Sequence, residues 1–220
     1  MLKKIVVIGP ESTGKSTLCE LLAKHYQTDW CPEYAREYLL KNGMNYSYDD
    51  LLTVAKGQLA GEDKFVKALS DEKWAIGNRQ QAIGNRQGAT GTLLPTSHSP
   101  LTTDHADAFG RHPDSHRRDS PLFIDTEMYV MKVWCEFVFG NCHRFVLDQI
   151  VQRKYDLYLL CNVDLPWVKD ELREYPDMET RRKLYFIYKD IMINQSTPWV
   201  DISGGYDERL QKAIAAVDKL

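Results

Sequence analysis

The sequence lacks three features that would direct it to a membrane, to nucleic acid or to an oxidising compartment. None of its 220 residues lie in an apolar stretch of about 18 or more, which excludes a membrane-spanning helix. The net charge of −3, without a basic stripe, excludes the surface of a typical nucleic-acid-binding protein. The five cysteines are odd in number and show no C-x-x-C spacing, so we expect small buried residues in a reducing compartment. Because no signal-peptide pattern opens the chain, we expect a cytoplasmic protein with no nucleic-acid or membrane partner.

What the sequence does contain is an alternation of short apolar runs and amphipathic segments. The apolar runs predict strands at residues 5–8, 29–31, 122–125, 155–161 and 199–202. Apolar residues at helical spacing predict helices at residues 18–26, 34–41, 47–73, 129–139, 143–152, 178–192 and from Asp207 onward. With 43% hydrophobic residues, the chain can build one α/β domain with a full core. The alternation indicates a five-stranded parallel sheet with helices on both faces.

Residues 75–120 interrupt this pattern. The hexapeptide AIGNRQ occurs twice, at 75–80 and 82–87, and the segment after it is rich in Thr, Ser, His, Asp and Gly. Such a composition buries too little apolar surface to offset the entropy of ordering, so we expect a disordered insertion within a single domain of residues 1–220. Its four histidines, at 98, 105, 112 and 116, fit no ordinary zinc spacing. We therefore expect neither a metal site nor a catalytic role there.

A phosphate-binding motif follows the first predicted strand. The loop from Gly9 to Ser16 matches the pattern G-x-x-x-x-G-K-S/T at every fixed position, and it lies between a strand and a helix as the motif requires. Lys15 would reach the β- and γ-phosphates and Ser16 would ligate Mg²⁺, while backbone N–H groups hold the phosphates. The predicted ATP-binding residues of the loop are Gly9, Glu11, Ser12, Thr13, Gly14, Lys15, Ser16 and Thr17.

A strand that ends in a carboxylate supplies a second part of a nucleotide site. Residues 122–125 end in Asp125, which such a strand would place beside Mg²⁺ and its waters. ATPases that hydrolyse usually carry a second acid directly after this aspartate, whereas here Thr126 follows and Glu127 comes one residue later. This spacing favours phosphoryl transfer to an acceptor over hydrolysis.

Charged residues after other strands are candidates for the transfer itself. Glu33 follows the second predicted strand, at the sheet edge of the phosphate loop, and could accept the proton of an attacking hydroxyl. Arg36 could hold phosphate or orient Glu33, although the two could also be a helix-start acid and its ion-pair partner. Arg173 is the candidate for an arginine on a movable lid. Arg181 and Arg182 are either further lid arginines or part of a solvated helix face.

Five segments together carry a family resemblance. In chain order they are GPESTGKSTL, PEYAREYL, FIDTE followed by KVW and FG, PWVKDELRE and SGGYDER. They resemble the ribosylnicotinamide kinase domain of the NadR type, within the adenylate-kinase-like group of P-loop kinases, over residues 1–74 and 121–220. The resemblance implies a three-layer P-loop kinase fold and transfer of the ATP γ-phosphate to the 5′-hydroxyl of N-ribosylnicotinamide. The product would be nicotinamide mononucleotide, a precursor in NAD biosynthesis.

The resemblance also implies roles for particular residues. Glu33, Tyr34, Asp125 and Trp134 would face the nucleoside, Arg173 would belong to the lid, and Gly204 would lie beside adenine. The expected cofactors are ATP and Mg²⁺, and the expected partner is a small-molecule nucleoside. The predicted catalytic residues are Lys15, Glu33, Asp125 and Arg173, the substrate-binding residues are Glu33, Tyr34, Arg36, Asp125 and Trp134, the metal ligands are Ser16 and Asp125, and Arg173 and Gly204 complete the ATP site.

The sequence departs from the family pattern in three ways. Glu127 stands where the family more often has aspartate, the insertion at 75–120 is additional, and the DNA-binding and adenylyltransferase domains of the fused members do not fit in this chain. We therefore expect neither a repressor role nor the second step to NAD. Two alternatives stay open: a kinase for another nucleoside or nucleotide, and a regulatory ATPase or switch. The residues decide neither the base of the acceptor, nor whether Glu33 or Asp125 takes the proton, nor the oligomeric state.

Overall fold

The computed structural model describes residues 2–87 and 120–220, and its centre is a five-stranded parallel sheet. The strand order is β2-β3-β1-β4-β5, and the register pairs Val6 with Ile124 on one side and with Tyr158 on the other. Residues 5–8 of β1 are completely buried, as expected of the central strand of a sheet covered on both faces. The strands are β1 Lys4–Ile8, β2 Trp30–Cys31, β3 Leu122–Asp125, β4 Leu157–Cys161 and β5 Trp199–Ile202.

Helices cover both faces of the sheet and give the three layers that the sequence predicted. On one face, apolar residues of α1 and α7 pack on β1 and β4. On the other face, residues of α3, α4 and α6 pack on the opposite sides of the same strands. A third apolar cluster joins α2, α3, α4 and α5. The helices are α1 Lys15–Tyr26, α2 Tyr34–Asn42, α3 Tyr48–Gln87, α4 Met128–Phe139, α5 Arg144–Gln152, α6 Met178–Asn194 and α7 Tyr206–Val217.

The α/β fold with a five-stranded parallel sheet is confirmed, and the helix bounds agree closely except at one end. Helix α3 continues to Gln87, through both copies of the AIGNRQ repeat, whereas the sequence predicted an end near residue 73. The repeat contains alanine, glutamine and arginine, which favour a helix, as well as glycine and asparagine, which do not, and it contains no proline. The backbone can therefore stay helical where the apolar periodicity fades. The remainder of the predicted insertion, with its four histidines, lies outside the described residues.

The cysteines and the hydropathy of the helices agree with the sequence analysis. All five cysteines are free, and all but Cys142 are buried. In the described ranges, no helix combines the length and the apolar character needed to cross a bilayer. The parallel arrangement places the carboxyl ends of all five strands at one edge of the sheet. The candidate site lies at this edge.

Candidate active site

The loop between β1 and α1 has the backbone of an anion-binding loop. Gly9 and Gly14 have φ angles of 140° and 78°, and Ser12 has a φ of 57°. Alternation of right- and left-handed residues produces a concave array of N–H groups. A Cβ on Gly9 would lie 2.7 Å from the carbonyl oxygen of Cys161 on β4, so the sheet itself requires glycine there. Because Gly14 provides no side-chain cap, the first-turn N–H groups of α1 remain available to an anion.

Two buried arginines donate hydrogen bonds to carbonyl groups of this loop. Arg209 of α7 donates from Nη1 to the carbonyl oxygen of Thr13 at 2.7 Å, and it also forms an ion pair with Asp164. Arg181 of α6 donates from Nη2 to the carbonyl oxygen of Ser12 at 3.2 Å. Their exposed fractions are only 2% and 1%. The sequence predicted no role for Arg209, although this residue ends the SGGYDER segment. It indicated either a lid arginine or part of a solvated helix face for Arg181, and the burial of Arg181 excludes the second interpretation.

The two predicted metal ligands are in direct contact. The Ser16 hydroxyl donates to Oδ2 of Asp125 over 2.5 Å, and the other carboxylate oxygen, Oδ1, is buried without a hydrogen-bond partner among the described residues. Burial, followed by the nearby charge of Glu33, raises the pKa of Asp125, while Lys15 opposes this shift. A hydroxyl beside an unpartnered carboxylate oxygen fits Mg²⁺, which takes oxygen ligands and fills its remaining positions with phosphates and water. Within the described part of the chain, no group of three or more His, Cys, Asp or Glu side chains is placed to hold a metal ion.

Gln58 forms hydrogen bonds to the backbone at the ends of β2 and β3, next to Glu33 and Asp125. Its side-chain amide, which is 1% exposed, donates to the carbonyl oxygens of Asp125 and Thr126 at 3.2 and 2.9 Å. Its carbonyl accepts from the backbone N–H of Tyr34 at 2.7 Å, directly after Glu33. Thr126 has a φ of 74°, unusual for a β-branched residue, and its hydroxyl donates to Glu33 at 3.4 Å. These contacts fix Glu33 and Asp125 on neighbouring loops, and no sequence motif pointed to Gln58.

A cavity of about 240 Å³ opens between the phosphate loop and the start of helix α2. One wall is the whole loop from Gly9 to Thr17, which includes Lys15 and Ser16. The lining also contains Glu33 and Arg36 together with Trp134 and the neighbouring apolar residues of α4. Arg173 and Glu174 border the cavity from the segment between β4 and α6. The structure thus brings most of the predicted site residues around one space.

Three predicted site residues do not line this cavity. The ring of Tyr34 packs on Gly57 of α3 instead of facing the acceptor side, because α2 turns that side chain toward the apolar cluster. Asp125 lies beneath the loop, where it contacts Ser16. Gly204 lies behind the loop, where its N–H donates to Asp164 at 2.5 Å and its carbonyl accepts from Arg209. Tyr34 and Asp125 were both implied to face the nucleoside, and Gly204 was implied to lie beside adenine, but none of the three lines this cavity.

Glu127, the departure from the family pattern, is used for structure. Its carboxylate caps α4 by accepting from the N–H of Tyr129 at 2.7 Å, and the residue is 1% exposed. Burial raises the pKa of Glu127 to about 8. The side chain therefore begins a helix and is absent from the cavity wall.

Comparisons with known proteins agree with this architecture. A family model described as AAA domain matches residues 4–84 and 85–209. The trifunctional NAD biosynthesis/regulator protein NadR of Salmonella typhimurium and that of Escherichia coli are each 22% identical to this chain over all 220 of its residues. The chain spans 43% of the length of each. The resemblance to NadR that the sequence motifs indicated is therefore confirmed as homology over the full chain.

Two solved structures share the fold. A crystal structure of NadR protein in complex with NR superposes with a TM-score of 0.60 at 19% identity, covering 99% of this chain and 50% of the other. A second, of NadR protein in complex with NAD and AMP-PNP, gives a TM-score of 0.59 at 19% identity, covering 99% of this chain and 49% of the other. At this identity the likeness establishes the fold.

Proposed function

The chain belongs to the AAA domain family of P-loop proteins, and from that premise we propose that it is an ATP-dependent kinase that phosphorylates the 5′-hydroxyl of N-ribosylnicotinamide. One observation carries the proposal: a single cavity is lined both by the phosphate loop and by Glu33, Arg36 and Trp134. A transferase needs its donor and acceptor to meet in one space, whereas a nucleotide switch needs only the phosphate loop. The homology to NadR, and the crystal structure of a NadR protein in complex with NR, support the choice of acceptor.

On the donor side, the chain's residues would hold the triphosphate and neutralise its charge. The N–H groups of the loop and the ammonium group of Lys15 would bind the phosphates. In the structure, Lys15 Nζ donates to the carbonyl oxygen of Pro10 at 3.0 Å, within the loop that the phosphates would occupy. Ser16 and Asp125 would ligate Mg²⁺, which when bound would neutralise charge on the β- and γ-phosphates.

On the acceptor side, Glu33 is the better candidate for the base that accepts the hydroxyl proton. It lies on the cavity wall, whereas Asp125 is completely buried and engaged by Ser16. Trp134 offers an aromatic surface that attracts a flat pyridinium cation. Arg36 lines the same cavity and forms a bidentate pair with Asp170 at 3.3 and 3.1 Å. It would therefore orient the acceptor while it is joined to the segment between β4 and α6, which carries Arg173.

The experiment that tests the proposal is an acceptor screen. Purified protein with Mg·ATP is incubated with ribosylnicotinamide and with the common nucleosides one at a time, and phosphorylated products are identified by mass spectrometry. We expect nicotinamide mononucleotide, with little ADP formed until an acceptor is present. ADP formation that is independent of any nucleoside would favour a regulatory ATPase, and phosphorylation of another nucleoside alone would reassign the acceptor.

The role of Glu33 has its own test. Glu33→Gln removes the proton acceptor but preserves size, so kcat should fall about 100-fold or more while the affinity for ATP changes little. Glu37→Gln, on the same helix α2, is the matched control and should leave kcat unchanged. An unchanged kcat in Glu33→Gln would remove Glu33 from the role of base.

A further inference from the structure

The side chain of Glu11 in the phosphate loop contacts the lid segment between β4 and α6. Its two carboxylate oxygens accept hydrogen bonds from the consecutive N–H groups of Glu174 and Tyr175, at 3.0 and 2.5 Å. These residues directly follow Arg173, the lid arginine that borders the cavity. One side chain of the loop therefore holds the backbone next to this arginine.

The same lid segment is anchored to the loop a second time. The Ser12 hydroxyl accepts from the N–H of Val168 at 3.1 Å, and the carbonyl of Val168 accepts from the guanidinium group of Arg173. The backbone from residue 168 to residue 175 is thus attached at both ends to the adjacent loop residues 11 and 12. Such double attachment limits the positions that the intervening guanidinium group can reach.

A carboxylate at residue 11 is otherwise unfavourable for a loop that binds a triphosphate. Like charges repel, so an unneutralised glutamate beside the phosphates would weaken their binding. Its two charge-assisted hydrogen bonds offset this effect, and the guanidinium group of Arg181, buried nearby, interacts favourably with Glu11. The charge is therefore placed where it holds the backbone of the lid segment, and we expect no gain in phosphate affinity from it.

We propose that Glu11 is a positioning residue: through the backbone of residues 174 and 175 it holds Arg173 where its guanidinium group can stabilise the phosphoryl group during transfer. The inference rests on the proposed kinase function. It gives Glu11 a role distinct from ATP binding, because the effect is exerted on the lid. A guanidinium group misplaced by about 1 Å can lose about 100-fold in rate, so a side chain that acts only through position can have a large effect.

A double-mutant cycle tests this inference. The variants Glu11→Gln, Arg173→Met and the double variant are compared with the wild type for kcat and for the dissociation constant of a non-hydrolysable ATP analogue, measured by calorimetry. Glu11→Gln leaves an amide that can accept only one of the two hydrogen bonds, so kcat should fall about 10- to 100-fold. Affinity for the analogue should stay unchanged or increase, because a negative charge has been removed. In the Arg173→Met background, Glu11→Gln should lower kcat less than about twofold further.

The outcomes separate this inference from the proposed function. Glu171→Gln, in the same lid segment, is the matched control and should leave both constants unchanged. Losses that multiply in the double variant, or weaker binding of the analogue that accounts for the lost rate, would overturn the role of Glu11 while the kinase assignment stands. If the wild type phosphorylates a different nucleoside, the same cycle is run with that nucleoside. No transfer by the wild type to any acceptor would overturn the proposed function and this inference together.

Discussion

Replacing Gly57 with alanine should destabilise this protein, although the same change in an exposed helix is normally stabilising. Alanine is favoured over glycine within a helix by about 1 kcal/mol. At Gly57, however, the new Cβ would lie 2.1, 2.3 and 2.5 Å from three ring atoms of Tyr34. Real side chains do not approach so closely, so the ring of Tyr34 must move out of its packed position.

The expected size of the effect follows from these two opposing contributions. Forcing extra atoms into a packed site costs about 1–3 kcal/mol. After subtraction of the gain in helix propensity, Gly57→Ala should lower the free energy of unfolding by up to about 2 kcal/mol. For a chain of this size that corresponds to a decrease in Tm of up to about 8 °C.

Gly61 provides a matched control one turn further along helix α3. A Cβ there would lie 3.7 Å from Sγ of Cys31, an ordinary van der Waals contact. Gly61→Ala should therefore raise the free energy of unfolding by up to about 1 kcal/mol. Both variants are measured by urea denaturation followed by circular dichroism, with Tm from thermal scans.

A third variant identifies the ring as the cause. In a Tyr34→Ala background the obstacle is gone, and Gly57→Ala should become stabilising by up to about 1 kcal/mol. If Gly57→Ala stabilises the wild-type background as much as Gly61→Ala does, the ring of Tyr34 does not pack on α3. The residue could then face the acceptor, as the family resemblance implied.

Three further changes test other parts of the structure. Lys15→Ala should abolish phosphoryl transfer in the mass-spectrometric assay, because it removes the ammonium group from the phosphates, whereas Lys24→Ala on the exposed end of α1 should not. Burial raises the pKa of Glu127 in the folded protein from 4.5 to about 8. The contribution of the protonated carboxyl group to the free energy of unfolding is therefore complete below pH 4.5 and is lost as the pH rises toward 8. Glu127→Gln should remove this pH dependence of the free energy of unfolding, whose slope is at most about 1.4 kcal/mol per pH unit. Urea denaturation at several pH values measures it. Arg209→Met leaves the Thr13 carbonyl unpaired and should lower the free energy of unfolding by about 1–3 kcal/mol and weaken binding of an ATP analogue in calorimetry. The exposed Arg182→Met should do neither.

The parts of the site that were predictable are those in which the chemistry depends on neighbours in sequence. The phosphate loop is one such case, because its glycines, lysine and serine lie within a few residues of one another in the sequence. Asp125 is another, because a carboxylate at the end of a buried strand necessarily reaches the carboxyl edge of a parallel sheet. Its contact with Ser16 then follows from the pairing of β1 with β3.

The residues that were missed act on partners far away along the chain. Arg209 reaches the carbonyl of Thr13 from the last helix, and Gln58 reaches the ends of two strands from α3. Neither role could be predicted from apolar periodicity, because a buried polar side chain in a helix looks the same in the sequence as an exposed one. Tyr34 was predicted to face the nucleoside because it is adjacent to Glu33 in a family motif. Glu33 lines the cavity, but the ring of Tyr34 packs on Gly57.

The sequence by itself therefore determined the alternation of strands and helices, the phosphate loop and the family to which the chain is related. These properties are written in local periodicity and in the identity of adjacent residues, which need no knowledge of distant contacts. Only the tertiary structure decided which side chains turn toward the cavity, which buried arginines bond to the carbonyl groups of the loop, and that Glu11 contacts the segment between β4 and α6 instead of open solvent. Those outcomes depend on the direction in which each helix packs, and a rotation of one residue along a helix, about 100°, is enough to exchange a cavity wall for a buried interface.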